Sequence, residues 1–161
     1  EFKLINVKKI SSYDFKDCDE LIFSDSEDKN YFNALGWSKN QVATQLEKNI
    51  NYSYGAFYKK NLIALIFGDL IYVEKVSEYE ILLIYVNKKY RNRGLASSLI
   101  NNIFIQSSNL KLKKIFLEVA ENNIPAIKMY EKNKFTLFNK RKNYYKIGDN
   151  KINALCYLKL I

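Results

Sequence analysis

The run Ile81-Leu82-Leu83-Ile84-Tyr85-Val86, with the polar step and turn Asn87-Lys88-Lys89-Tyr90-Arg91-Asn92-Arg93-Gly94 that follow it, constrains this chain more than any other stretch. The long apolar run reads as a central strand. After Gly94, the apolar residues Leu95, Leu99, Ile100, Ile103 and Phe104 recur at helical spacing. The order is therefore strand, basic glycine-containing turn, helix. Such a turn aims several backbone N–H groups and the positive end of a helix dipole at one spot, which suits an anion, most often a phosphate. Gly94 lets a ligand approach the backbone closely, Ala96 leaves that approach unblocked, and Arg91 and Arg93 add charge. No Gly-Lys-Ser/Thr follows, so this is not a Walker loop. The full Gly-x-Gly-x-x-Gly series of a dinucleotide site is missing as well.

The rest of the chain supplies the partners for this unit. A first strand is expected over Phe2–Val7, then a helix over Tyr13–Phe23 capped by Ser11 or Ser12. Ser24–Asn30 is polar and acidic and reads as a loop or helix end. Ser38 is an N-cap for a helix from Lys39 to about Lys48. Three strands follow with short turns, Asn51–Tyr58, Leu62–Val73 and Glu78–Val86, which implies an antiparallel meander. After the helix from Gly94 comes a fifth strand, Lys113–Ala120. The helix between them makes the fourth and fifth strands parallel through a right-handed crossover. A helix over Ile124–Asn133, capped by Asn122 or Asn123, holds Pro125 in its first turn, where a missing N–H is harmless. A sixth strand over Phe135–Lys142, a loop over Asn143–Asn150 and a last strand over Ile152–Leu160 complete the chain. The expected architecture is a single domain, 1–161, of the α/β (α+β) kind. It has a mixed, mostly antiparallel sheet of seven strands with helices on both faces.

Composition removes several chemistries. The chain of 161 residues contains no histidine and two cysteines, Cys18 and Cys156. Ser–His–Asp and Cys–His catalysis are excluded. Two cysteines cannot complete a structural zinc shell, so no metal is expected. Any proton transfer falls to Glu, Asp, Tyr, Lys, Cys, substrate or water. The two thiols read as reduced. No apolar run approaches the ~20 residues that span a bilayer, and Glu1–Ile5 lacks the long apolar core of a signal peptide. The expectation is a cytoplasmic protein without a membrane partner. The net charge is +9, which can steer a chain to nucleic acid. Lysine is spread through the whole sequence, so nucleic acid is not the expected main ligand.

The turn Arg91-x-x-Gly94-x-Ala96 resembles the signature of the GNAT acetyl-coenzyme A-dependent N-acetyltransferases, and the element order above fits that family over essentially the entire chain. Leu117-Glu118-Val119, Asn123, Ala126, Ile127, Tyr130-Glu131, Phe135 and Arg141-x-Asn143-Tyr144-Tyr145 look like the RimI-type branch. Gly36-Trp37-Ser38 is similar to the Pro-Trp-Ser of that branch. Three departures stand out: Ala96 for the commoner second glycine, Gly36 for proline, and Asn133-Lys134-Phe135 where many members carry a glycine before Phe. The resemblance implies acetyl-CoA as donor, with its pyrophosphate on backbone amides of Arg91, Asn92, Arg93, Gly94, Leu95, Ala96 and Ser97. It implies a pantetheine arm paired with Ile84, Tyr85 and Val86. It also implies an acceptor that is the N-terminal amine of a small-subunit ribosomal protein.

Acetyl transfer to an amine needs a base for the ammonium proton and an acid for the departing thiolate. On its strand Glu118 alternates with Leu117 and Val119, shares a face with Phe116 and Ala120, and is the expected base. Apolar neighbours of this kind raise a carboxyl pKa; the competing reading is a solvent-facing strand glutamate. Tyr130 lies one helical turn from Ala126 and Ile127, and the resemblance makes it the expected acid. With 13 tyrosines in the chain, a core role competes. Asn123 reads as a hydrogen-bond partner of the coenzyme or as a plain helix cap. Tyr144 and Tyr145 are expected to flank the acceptor, and Trp37 to pack near the same cleft or to staple its helix. Two other functions compete: acetylation of a polyamine, an antibiotic amine or a lysine side chain, and an inactive basic module that binds RNA or the ribosome.

Overall fold

The computed structural model describes residues 4–161. Among them, seven strands form one sheet: β1 (Ile5–Ile10), β2 (Ser53–Tyr58), β3 (Asn61–Val73), β4 (Val76–Val86), β5 (Leu112–Ala120), β6 (Thr136–Ile147) and β7 (Asn150–Leu160). The helices are α1 (Phe15–Phe23), α2 (Ser26–Ala34), α3 (Lys39–Glu47), α4 (Leu95–Ile105), α5 (Ser107–Leu110) and α6 (Ile124–Lys132). The strands lie in the order β1-β2-β3-β4-β5-β7-β6. β4 and β5 run parallel; the other neighbours are antiparallel. This is the mixed seven-stranded sheet expected from the sequence.

The sheet is central because β3 is apolar on both sides, with Leu62 to Leu70 buried almost without a break. One face packs Ile66, Ile81, Ile115 and Leu117 against Leu99, Ile100 and Ile103 of α4 and Tyr130 of α6. The other packs Leu65, Phe67 and Tyr85 against Ile22 of α1, Phe32 of α2 and Val42 of α3. Each large side chain removed from water in these layers contributes about 1.5–3 kcal/mol. The helical spacing of α4 and α3 thus becomes two layers clamping one sheet. Cys18 and Cys156 are both buried free thiols. Among the described residues no helix is long and apolar enough to cross a membrane.

Three boundaries differ from the sequence reading. Ser24–Asn30, expected as a loop or helix end, mostly belongs to a helix of its own: α2 is capped by the Asp25 side chain, which accepts from the Asp28 N–H at 3.0 Å. Glu27 and Asp28 in its first turn oppose the helix dipole favourably. Its one buried residue, Phe32, supplies the packing that a polar sequence does not advertise. The expected loop Asn143–Asn150 is largely strand. β6 runs to Ile147 because β7 offers a long ladder, and the irregularity is absorbed as a register shift between Arg141 and Tyr145, with Asn143 at φ 54°. Strand β1 lies later than expected, since Ile10 still pairs with Ser53; Phe2 and Lys3 of the expected strand lie outside the described residues.

One further register shift shapes the molecule. Phe67 pairs with Leu83 and Gly68 with Ile81, so Leu82 is an extra residue on β4. A bulge of this kind bends the strand that carries it. The backbone is locked there by the Tyr79 ring, whose hydroxyl donates to the Tyr52 carbonyl at 2.7 Å. A Cβ on Gly68 would lie 2.0 Å from that hydroxyl oxygen. Gly68→Ala is therefore expected to lower unfolding stability by about 1–3 kcal/mol, read as a lower urea midpoint with an unchanged denaturant slope.

Candidate active site

Hydrogen bonding between β4 and β5 ends at the pair Ile81 and Leu117. Beyond it, Ile84, Tyr85 and Val86 stay paired to Ile66, Leu65 and Ala64 of β3. Glu118, Val119 and Ala120 stay paired to Cys156, Leu155 and Ala154 of β7. The two strands part directly after the Leu82 bulge, and their facing edges carry backbone donors and acceptors without a strand partner. The gap opens into a cleft of about 1480 Å³. Of the residues expected to serve the donor, the acceptor or proton transfer, all but Arg93 line it.

At one end lies the turn before α4. Asn87 caps a short 3-10 turn over Lys88–Tyr90, accepting from the Lys89 N–H at 2.9 Å. Asn92 and Gly94 both have left-handed backbone, φ 60° and φ 78°. At Gly94 a Cβ would meet nothing within 4 Å, so conformation and open space, not crowding, call for glycine here. No side chain caps α4. The first bond of the helix is Ser98 N–H to the Gly94 carbonyl at 2.9 Å, which leaves the amides of Leu95, Ala96 and Ser97 without an intrahelical partner. An anion completes such a terminus.

The arginines of the turn do not converge on those amides. Arg91 folds back: its Nε donates to the Val86 carbonyl at 2.9 Å and its Nη2 to Asp28 Oδ2 at 3.0 Å. The same Asp28 oxygen accepts from the Tyr85 hydroxyl at 2.8 Å. Lys88 pairs with Asp25 at 2.8 Å. These contacts moor α2 to the end of β4. Arg93 lies with its guanidinium 5.6 Å from the Tyr90 ring.

Where the strands part, Glu118 and Tyr130 approach from opposite faces. Glu118 alternates with Leu117 and Val119, whose face of the sheet packs against α6 and Tyr130. The surroundings of Glu118 are not the apolar ones expected from its strand neighbours. Arg141 of β6 donates to its Oε1 at 2.7 Å, and the Cys156 Sγ lies 3.8 Å from the same oxygen. The reason is the β5-β7-β6 order, which brings β6 within reach of β5 across β7. Tyr130 is 6% exposed and packs edge-on to Phe135, centroids 5.7 Å apart. Burial, and then the charge of Tyr145, push its phenol above the usual tyrosine range. It therefore keeps its proton near neutral pH and is present as a hydrogen-bond donor. Asn123 caps α6, its side chain accepting from the Ala126 N–H at 3.3 Å, while it also lines the cleft.

Part of the lining is aromatic. Trp37 packs against Phe67 with centroids 5.4 Å apart. Tyr144 and Tyr145 stand edge to face at 5.0 Å. Burial first, and then Glu118, raise the Tyr145 phenol. Sequence reasoning missed one titratable group here. Glu80 lines the cleft from β4, paired with Phe116 and so on the same side of the sheet as Glu118. Burial, then the charges of Asp69 and Glu118, hold its carboxyl above the usual range, and Lys48 partly offsets them. Parallel direction alone does not fix the register that brings Glu80 to this side, so the sequence carried no direct signal for it. Among the described residues no group of three or more His, Cys, Asp or Glu is placed to hold a metal ion.

Comparison with known proteins matches this geometry to a family. The model of the acetyltransferase (GNAT) family matches residues 14–135. An N-alpha-acetyltransferase of Saccharolobus solfataricus is 34% identical over 68 residues, which are 42% of this chain and 41% of that protein, less than half of either. The ribosomal-protein-S18-alanine N-acetyltransferase from Escherichia coli superposes with a TM-score of 0.82 at 18% identity, over 98% of this chain and 94% of that one. Arabidopsis thaliana NAA60 in complex with acetyl-CoA gives 0.79 at 18% identity, over 98% of both chains. At such identities the two structures speak for the fold alone. The family match over most of the chain speaks for more, and its residues carry the uncapped helix and open strand edges that suit acetyl-CoA: the chain belongs to the GNAT family and is an acetyl-CoA-dependent N-acetyltransferase.

Proposed function

We propose that this enzyme acetylates the N-terminal α-amine of a protein, in the first instance a small-subunit ribosomal protein, and that residues 1–161 act as one catalytic unit. One observation carries the reading: a carboxylate and a buried, protonated phenol face one gap from opposite sides, and beyond the gap the cleft continues to the aromatic wall of Trp37, Tyr144 and Tyr145. A chain end has room to enter there. The RimI-like residues Glu118, Tyr130 and Arg141-x-Asn143-Tyr144-Tyr145 support the same acceptor class. So does the fold shared with the Escherichia coli enzyme, whose own acceptor is ribosomal protein S18. The free, buried thiols of Cys18 and Cys156 are compatible with a cytoplasmic setting.

The donor supplies an activated acyl carbon. The amides of Leu95, Ala96 and Ser97, with the αL turn at Asn92 and Gly94, hold its pyrophosphate, and the open edge of Ile84–Val86 orients its arm. Arg91 contributes through its backbone, since its guanidinium is committed to Val86 and Asp28. Asn123 caps α6 at the donor side of the cleft. Glu118 takes a proton from the acceptor ammonium, directly or through one water, which frees the nitrogen lone pair for attack. As the C–N bond forms and the C–S bond breaks, the nitrogen sheds its second proton to solvent, and Tyr130 gives its proton to sulfur and regains one from solvent. Transfer is direct within a ternary complex, because neither cysteine faces the cleft as an acyl carrier.

Two experiments follow. Glu118→Gln and Tyr130→Phe should each lower kcat by about 10²–10⁴ in a free-thiol release assay with a ribosomal N-terminal peptide, with acetyl-CoA Kd unchanged by calorimetry; wild-type turnover in both variants would remove the assignment. Gly94→Ala places a Cβ at positive φ, at a cost of roughly 1–2 kcal/mol, and should weaken acetyl-CoA binding by about tenfold. An unaltered Kd would mean that the donor phosphates sit elsewhere.

A further inference from the structure

We propose that Arg141 is a positioning residue for the base: its guanidinium anchors one carboxylate oxygen of Glu118 and leaves the other for the acceptor's proton. The inference rests on Glu118 as the base. Arg141 Nη1 and Cys156 Sγ both address Oε1, at 2.7 Å and 3.8 Å. Among the described residues Oε2 has no hydrogen-bond partner. The carboxylate is thus tethered at one oxygen on the wall of the cleft, with its second oxygen open.

The ion pair has no strong structural reason to exist. The side chains are 49% and 27% exposed, and exposed pairs contribute little stability. The backbone, however, is built to deliver Arg141. Pairing passes from Arg141 with Ala154 to Tyr145 with Ile152, so β6 carries extra residues at this point. That bulge is pinned: the Asn143 N–H donates to Asn153 Oδ1 at 2.9 Å, and Asn153 Nδ2 to Glu121 Oε2 at 2.8 Å. It folds Tyr144 back under the guanidinium, 4.1 Å from ring centroid to Cζ. Arg141 is held by an aromatic face on one side and the carboxylate on the other, so acceptor contacts to Tyr144 reach the base through it.

Removing this anchor should have a signature that lost packing does not. Without Arg141 the carboxylate loses the contact that fixes its orientation. The loss then falls on turnover, not on stability or donor binding. A lysine can still donate to one carboxylate oxygen and restores part of it.

Arg141→Gln should lower kcat about tenfold in the free-thiol release assay, while Arg141→Lys restores part of the loss. Melting temperature and acetyl-CoA Kd should stay at wild-type values. In a Glu118→Gln background, Arg141→Gln should lower kcat no further. Wild-type kcat in Arg141→Gln, a loss that Lys does not relieve, or an additive loss in the double variant overturns the proposal. Wild-type turnover by Glu118→Gln alone would instead remove the reading of Glu118 as base.

Discussion

Parallel pairing of β4 and β5 stops at Ile81 and Leu117, and the rest of the site depends on that interruption. Continued pairing would bury the edges of Leu82–Val86 and Glu118–Ala120 in each other and leave no room for a ligand. The interruption has a local cause in the extra residue Leu82. It also has a packing cause in Tyr79, whose ring occupies the space that a side chain at position 68 would need. Apolar layers on both faces keep the diverging strands from collapsing together. The cost of unpaired backbone is then met by water or by a ligand that pairs like a strand.

Two polar systems border the cleft. Beside the turn before α4, Asp28 accepts from both Tyr85 and Arg91, which couples α2 to the strand and to that turn. Where the strands part, Glu118 is tied to Arg141 and lies on the same side of the sheet as Glu80. The aromatic wall that carries Trp37, just beyond α2, is thus moored to the turn before α4. Both systems join residues far apart in sequence, such as Asp28 with Arg91 and Glu118 with Arg141, and both are products of the strand order.

Much of this was legible beforehand, for identifiable reasons. The apolar run Ile81–Val86 and the spacing of Leu95, Leu99, Ile100 and Ile103 encode a strand and a helix locally, so the turn between them was visible. The parallel crossover followed from chain connectivity. α2 was missed because, Phe32 apart, its support lies in capping by Asp25 and mooring through Asp28, which a polar sequence does not reveal. The second half of β6 was missed because Asn143 and Gly148 carry turn-type backbone and a long pairing partner overrode it. The surroundings of Glu118 were misjudged because only residues adjacent in sequence could be counted as its neighbours.

The sequence by itself determined the strand–turn–helix unit and the absence of histidine chemistry, which depend on local backbone preference and residue type. Its resemblance to the GNAT signature, not local pattern, singled out Glu118 and Tyr130 as candidate base and acid. Tertiary structure alone decided where β4 leaves β5, that Arg91 turns to Asp28 and away from the helix terminus, and that Arg141 reaches Glu118. Those outcomes depend on register and on which strands become neighbours. A one-residue shift reverses the face a side chain presents, so they are settled only when the whole sheet is assembled.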